Sequence, residues 1–325
     1  MNDETRALTI QFDHPLTHCP ICGSSAICLW KRKLNDSTEY SIFTCNDCTG
    51  GFLNPRPSNE TLERIYSLSG HGLSQEVTCD DILNQEEEFP NSSVDAERMI
   101  SISKNLFPSH RTDEFGGQHT LIDIGSGFGF YSLCGVKHGF DVVSVNPGTY
   151  ENRVFNEMFL RNGLTANIHV GMFEHFCFDK ETFAVAIASQ ILEHIKNPRA
   201  IVLKIDEILM PGGVLAIAVP NFHSFFVRLL GINEHSCLWV PEHCNYFTQR
   251  SLQSLISGST LKLSKIIHVA KIPYYAMSER LSLEKGTIAR RLVNGFVKTA
   301  QYIPCRTMEF FGIGNYLNAF FVKEG

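Results

Sequence analysis

The chain has 325 residues, 43% of them hydrophobic, and a net charge of -6 from 28 basic and 34 acidic side chains. That core capacity excludes a wholly disordered chain, and the charge balance speaks against a strongly basic nucleic-acid binder. Eleven cysteines cannot all pair internally, the acidic, polar start has no signal-peptide apolar stretch, and no apolar run nears the roughly 18–20 residues that span a bilayer. A cytoplasmic protein with reduced thiols is expected, and those thiols need a use other than disulfides.

Residues 1–57 come first. His18-Cys19-Pro20-Ile21-Cys22-Gly23 and Thr44-Cys45-Asn46-Asp47-Cys48 place two C-x2-C turns 22 residues apart. Each turn aims two sulfurs at one point, and two turns complete a tetrahedron around zinc. Cys19, Cys22, Cys45 and Cys48 are therefore the expected ligands of a zinc ribbon. Four thiolates close the coordination shell, so this zinc folds a segment with little core of its own and does no chemistry. Asn54-Pro55-Arg56-Pro57 is a turn that ends the ribbon, and Ser58 can cap a short helix from Asn59 to Tyr66.

Residues 58–118 form a helical and acidic connector. Its charge is uneven: residues 61–118 carry 4 basic and 11 acidic side chains. The stretch 68–92, with Glu86-Glu87-Glu88 and Pro90, reads as mobile. Helical spacing resumes near Val94, with Met99, Ile100, Ile102 and Leu106 apolar.

From residue 119, short apolar runs alternate with helical segments. The runs are Leu121–Ile124, Asp141–Val145, Ile168–Val170, Phe183–Ala188 and Val214–Val219; the helices lie near 129–138, 150–162 and 198–209. Buried parallel strands read as continuous apolar runs, and each needs a crossover helix. This predicts an α/β fold with a doubly wound Rossmann-like sheet over 119–270. Leu261–Val269 and Tyr316–Val322 supply closing strands, making the sheet seven-stranded, and 271–325 is a basic helical segment with the last strand.

Leu121-Ile122-Asp123-Ile124-Gly125-Ser126-Gly127-Phe128-Gly129 reads as strand, glycine turn, helix. Gly125 and Gly127 let the backbone approach a ligand, and Gly129 allows tight packing at the helix start. Asp123 sets a carboxylate beside the turn. That suits an amino-bearing ligand better than a pyrophosphate, which wants bare helix N–H groups.

Here the sequence resembles motif I of class I S-adenosylmethionine-dependent methyltransferases. Further segments fall in that family's order. Phe183–Ser189 with Gln190-Ile191-Leu192-Glu193-His194 resembles its fourth strand and following L-E-H. Leu209-Met210-Pro211-Gly212-Gly213 resembles the turn before its fifth strand. Pro241-Glu242-His243-Cys244-Asn245-Tyr246-Phe247-Thr248 resembles a segment of the branch that carries an N-terminal zinc ribbon. The resemblance implies S-adenosylmethionine as cofactor, with Gly125, Ser126 and Gly127 cradling its methionine end and Asp123 near its amino group. Asn146 stands where an acidic residue normally holds the ribose hydroxyls, and an amide lacks that charge-assisted strength. Met172 and Phe173 fall where the adenine face is covered, or pack in the core. Gln190 is to face the methyl end.

His194 and His243 follow motifs at the carboxyl edge of the predicted sheet, where ligands bind. Either can act as general base or tie loops together. Glu193 can orient His194. Tyr246 can position a hydroxyl or simply pack. Related quinone and RNA 3'-end methyltransferases place a metal on E-x-x-E-H; Gln190 replaces the first carboxylate, so no catalytic metal is expected. The resemblance implies a small-molecule or sugar acceptor, in cell-surface glycan or secondary metabolism. The alternatives are an RNA or protein methyltransferase gripping its polymer through the ribbon, and a non-catalytic cofactor-binding protein.

Residues 261–325 carry 10 basic and 4 acidic side chains. Within them, 286–303 has helical spacing: Ile288, Leu292, Phe296, Ala300 and Ile303 share a face, Arg290, Arg291, Lys298 and Gln301 lie mostly opposite, and Pro304 ends the helix. The favoured reading is a helix covering the sheet with its cations solvated. The other is a peripheral surface for anionic lipid, a lipid-linked substrate or a nucleotide sugar.

Overall fold

A computed structural model describes residues 10–69, 77–107, 119–272, 281–282 and 287–325. The N-terminal residues 1–9, parts of the connector (70–76 and 108–118), residues 273–280, and residues 283–286, where the basic segment begins, lie outside the described residues.

The principal sheet has seven strands. Parallel strands β4 (Thr120–Ile124), β5 (Asp141–Asn146), β6 (Ile168–Val170), β7 (Phe183–Ser189) and β8 (Leu209–Pro220) are joined through helices α4 (Phe130–Lys137), α5 (Thr149–Arg161) and α6 (Pro198–Ile208). β11 (Tyr316–Lys323) runs antiparallel between β8 and β10 (Leu261–Val269). The order β10-β11-β8-β7-β4-β5-β6 reverses direction of travel beside β4, which is where a doubly wound sheet opens a ligand crevice. The apolar runs located the strands because the central ones are buried on both faces; β7 is apolar and buried from Phe183 to Ala188. Asn197 caps α6 by accepting the Ala200 N–H, and Pro198 takes the first helical position.

A second, four-stranded sheet joins β1 (Ile27–Asn35), β2 (Thr38–Cys45) and β3 (Gly51–Leu53) to β9 (Asn245–Tyr246). The sheet's last strand thus comes from far downstream in the chain, through pairs Gly51 with Tyr246 and Phe52 with Asn245. Cys19, Ile21, Cys45, Cys48 and Phe52 share one apolar core with Ile217, Phe247 and Leu252. At Gly50 a Cβ would stand 2.7 Å from Ile21 and 2.9 Å from Ser251, so glycine permits the contact.

The connector is more ordered than its composition suggests. Ser58 does cap α1 (Asn59–Ser69), accepting the Thr61 N–H at 3.1 Å. Within the stretch read as mobile, α2 (Cys79–Glu88) starts on a reciprocal capping box between Thr78 and Asp81. Glu86 accepts the N–H groups of Asn91 and Ser93 at 2.7 and 2.8 Å, fixing the start of α3 (Ser92–Leu106). The acidic run is partly a set of helix caps, a use that charge counting cannot reveal.

Pro304 does not end the basic helix. α9 (Ile288–Ala300) stops at Gln301, and Pro304 sits in the first turn of α10 (Tyr302–Phe310), following α7 (Phe225–Leu230) and α8 (Gln249–Leu255) in chain order. A first-turn N–H has no intrahelical partner, so proline costs nothing there.

Candidate active site

β4 ends at Ile124, and the chain turns at once through Gly125-Ser126-Gly127 toward α4. Gly125, Gly127 and Gly129 have φ of 69°, 51° and 87°. A Cβ at Gly125 would meet Ile191 at 1.9 Å, and one at Gly129 would meet the Phe155 ring at 2.6 Å. At Gly127 nothing stands within 4 Å, because that glycine faces open space.

That space is a cavity of about 240 Å³. Asp123, Gly125, Ser126, Gly127 and Gln190 line it, so the structure brings these five predicted residues together. Asp123 is fully buried. Ser132 donates to its Oδ2 at 2.6 Å and shares a 2.9 Å hydrogen bond with Ser144. Burial pushes the Asp123 carboxyl up to about 6, against the Ser132 hydrogen bonds that favour its charge. A partly compensated anion of this kind is a seat for an ammonium group. Gln190 holds a left-handed φ of 56°, uncommon for a residue with a side chain, and its N–H donates to the Ala218 carbonyl at 2.8 Å.

No local motif marks the cavity's other lining. Asn91, Asp95, Lys271, Tyr316 and Asn318 belong to it, alongside apolar side chains that include Phe128, Phe130 and Val269. Lys271 donates to Asp95 and to Asn91 Oδ1, and lies over the Tyr316 ring. Burial pulls the Lys271 pKa down, and Asp95 opposes the shift. Residues 176 positions apart form that ion pair, so no local motif could have flagged it.

Asn146 is not in the lining. Its Oδ1 accepts the Gly127 N–H at 3.3 Å and its Nδ2 donates to Asn152 at 2.9 Å, so the amide ties the glycine turn to the loop after β5. Beside it lies a buried carboxylate that the sequence reading passed over. Glu151 folds over Gly148 so closely that a Cβ there would stand 2.0 Å from its Oε2. Met172 and Phe173 also lie outside the lining; Phe173 is buried beneath Lys204, 4.8 Å above its ring, as a packing residue would be.

The two histidines meet away from the lining residues. Their rings sit edge to face, 4.7 Å between centroids. Cys237 O accepts from His243 Nδ1 at 2.8 Å and Glu242 O from His194 Nδ1 at 3.2 Å. Carbonyls only accept, so each neutral ring carries its proton on Nδ1 and its lone pair on Nε2. Glu193 joins them, with carboxylate and ring ligand atoms all within 4.8 Å of one another. Its two oxygens are buried without a hydrogen-bond partner among the described residues, and burial pushes the carboxyl up to about 8. The Glu193 carbonyl accepts the N–H groups of Cys244 and Asn245 at 2.7 and 3.0 Å, which joins the two histidine loops. Tyr246 is buried against Phe222, ring centroids 5.6 Å apart, in the position of a packing residue.

The four predicted ribbon thiols converge. Cys19 and Cys48 sulfurs lie 3.7 Å apart and Cys22 and Cys45 sulfurs 3.6 Å apart, all four within 4.8 Å. Zinc–sulfur bonds of about 2.3 Å at tetrahedral angles put sulfurs roughly 3.8 Å apart, so the donor set fits. Cys28 stays outside, near Thr44 and Asn46.

Glu193 makes stability depend on pH. Its folded-state pKa lies above the unfolded value near 4.5, so its contribution is complete below about pH 4.5 and is lost as pH rises through about 8. Urea unfolding of Glu193→Gln is expected to show a smaller stability loss between pH 5 and 8 than the parent, by on the order of a few kcal/mol. Parallel pH profiles would contradict a buried neutral carboxyl.

The profile of a methyltransferase-domain family matches residues 92–263. Curated relatives include ubiquinone biosynthesis O-methyltransferases. That of Parvibaculum lavamentivorans is 24% identical over 175 residues, covering 51% of this chain and 67% of the relative. That of Cereibacter sphaeroides is 28% identical over 124 residues, covering 38% and 50%. The chain therefore spans about half to two thirds of the length of these relatives. Among solved structures, a putative sarcosine dimethylglycine methyltransferase from Galdieria sulphuraria aligns at 13% identity with a TM-score of 0.49, covering 72% of this chain and 85% of that one. With a family profile over more than half its length and the strand order described above, the chain belongs to the class I S-adenosylmethionine-dependent methyltransferases.

Proposed function

We propose that the chain transfers a methyl group from S-adenosylmethionine to a hydroxyl-rich small molecule of the sugar type, with a structural zinc in its ribbon. The observation that carries this reading is the buried Asp123 carboxylate beside an open glycine turn, in a cavity lined by polar side chains together with Phe128, Phe130 and Val269. Asn91, Asp95, Lys271 and Asn318 offer both donors and acceptors, which suits several hydroxyls in one small acceptor. The named activity of the ubiquinone relatives is consistent with an oxygen nucleophile.

When bound, S-adenosylmethionine supplies an electrophilic methyl carbon; the protein supplies alignment and a base. Asp123 holds the amino group, and the unencumbered Gly127 allows close backbone approach. Glu151 supplies the ribose-binding charge that Asn146 lacks. The 190–194 loop runs from the cavity at Gln190 to the histidine cluster. The base is assigned to the His194–His243 pair, each ring holding its lone pair on Nε2, and the acceptor hydroxyl has to extend to it past Gln190, the lining residue on the same loop. A proton taken there leaves an imidazolium within 4.8 Å of the Glu193 carboxyl, which stays protonated through the step.

Labelled methyl transfer into a metabolite extract, followed by product identification, tests the reading. A labelled small hydroxylated product is expected, and labelled RNA or protein instead would contradict it. His243→Asn is expected to lower kcat by about 10²–10⁴-fold with cofactor affinity retained. Transfer by that variant within about twofold of the parent would remove His243 as base.

For the ribbon, elemental analysis is expected to find about one zinc per chain, lost in Cys45→Ser together with protease resistance of residues 10–57. Full zinc content in that variant would contradict a four-thiolate site.

A further inference from the structure

The first helix of the pair between β10 and β11 is built inside out. Arg290 is buried on α9, and its Nε donates to Glu88 Oε1 at 2.6 Å; Asn294 Nδ2 donates to the same oxygen at 3.3 Å. Glu88 closes α2, so the side of α9 that bears Arg290 and Asn294 is the side held against the protein. At about 100° per residue, Ile288, Leu292 and Phe296 then point away from it. They are 76%, 69% and 75% exposed. The expectation that this stripe covers the sheet is thereby reversed: the docked side carries Arg290 and Asn294 with Val293 and Val297 half-buried beside them, and the Ile288, Leu292 and Phe296 stripe stays exposed.

α10 also leaves apolar side chains exposed, although the side it buries is apolar. Met308 is buried, while Tyr302, Ile303 and Phe310 are 61%, 73% and 84% exposed. Amphipathic surface helices ordinarily bury their apolar stripe, and a contiguous exposed one marks an interaction surface. Arg291 and Lys298 are exposed along the edge of the α9 stripe, and Arg306 lies on the apolar side of α10. The surrounding segment, residues 261–325, carries +6, against -12 for the rest of the chain. Among the described residues, no helix is long and apolar enough to cross a membrane.

We propose that α9 and α10 form a docking surface for an anionic lipid bilayer. The apolar stripes enter the boundary between headgroups and acyl chains, and Arg291, Lys298 and Arg306 stay at headgroup level. Charge favours this occupant over a second copy of the chain. Two-fold self-docking through this face would bring two sets of three exposed cations onto one interface, whereas lipid phosphates neutralise them. The insertion leaves the sheet at Lys271 and returns at Tyr316, both of which line the active-site cavity, so the docked surface springs from the cavity's rim.

Co-sedimentation of the full chain with vesicles tests this. Vesicles of phosphatidylcholine with phosphatidylglycerol are expected to pellet the chain, phosphatidylcholine alone much less, and added salt to weaken the binding. The double variant Phe296→Ser, Phe310→Ser is expected to bind roughly tenfold more weakly or worse, at unchanged melting temperature, because two aromatic side chains no longer enter the bilayer. Leu160→Ser, at an exposed apolar position elsewhere, is the control and is expected to bind like the parent. Failure to pellet with either vesicle, or equal pelleting of parent and double variant, would overturn the proposal. A dimer in light scattering that the double variant abolishes, without vesicle binding, would assign the face to a second copy.

Discussion

Two carboxylates are buried at the carboxyl edge of the sheet, on the loops that follow neighbouring strands or at their ends, and much of the architecture is arranged around that constraint. Asp123 closes β4, and Glu193 follows β7. Burial disfavours the charged form of both, but they are treated differently. Asp123 receives Ser132, which is linked to Ser144, and faces the cavity. Glu193 receives no hydrogen bond on its side chain among the described residues and faces two imidazoles instead. In the proposed function one carboxylate meets a ligand's cation and the other lies beside the histidine pair. Separate environments for paired titratable groups are how one site can bind charge and move protons near neutral pH.

The ribbon bears on this arrangement without touching the cavity. Arg56, at its exit, is buried and donates to Asn245 Oδ1 at 2.5 Å and to the Lys196 carbonyl. Asn245 in turn donates to the Leu192 and Ile195 carbonyls at 3.0 and 2.6 Å. A single amide therefore couples the ribbon, through a buried guanidinium, to the turn that carries Glu193 and His194. The same residue pairs with Phe52 in β9. The ribbon thus fixes the position of Glu193 and His194 through two side chains in series.

Sequence periodicity located the principal sheet because its central strands are apolar on both faces, as β7 is over six consecutive residues. The glycine turn was legible because backbone conformation there admits few other residues, as the 1.9 Å contact at Gly125 makes plain. The ribbon thiols were legible from spacing alone. What escaped notice depends on tertiary placement. Lys271 and Asp95 meet only because α3 packs against β8 and β11, beside the chain that leaves β10. Glu151 carries no local signal beyond its position one helical turn after β5. α9 was read as covering the sheet because its apolar stripe is real; its orientation was decided by Glu88, 202 residues away from Arg290. Charge runs misled for a related reason: Glu86 and Glu88 look like a solvated patch in sequence and serve as a helix cap and an ion-pair partner in the fold.

Calorimetry of S-adenosylmethionine binding between pH 5 and 8 tests directly the proposed role of Asp123 in holding the cofactor's ammonium group by charge. Affinity is expected to fall as pH drops through about 6, where the Asp123 carboxyl takes up its proton, and Asp123→Asn to bind roughly 10–100-fold more weakly with that pH dependence removed. Parent-like affinity in Asp123→Asn, or the same pH dependence in both proteins, would contradict it.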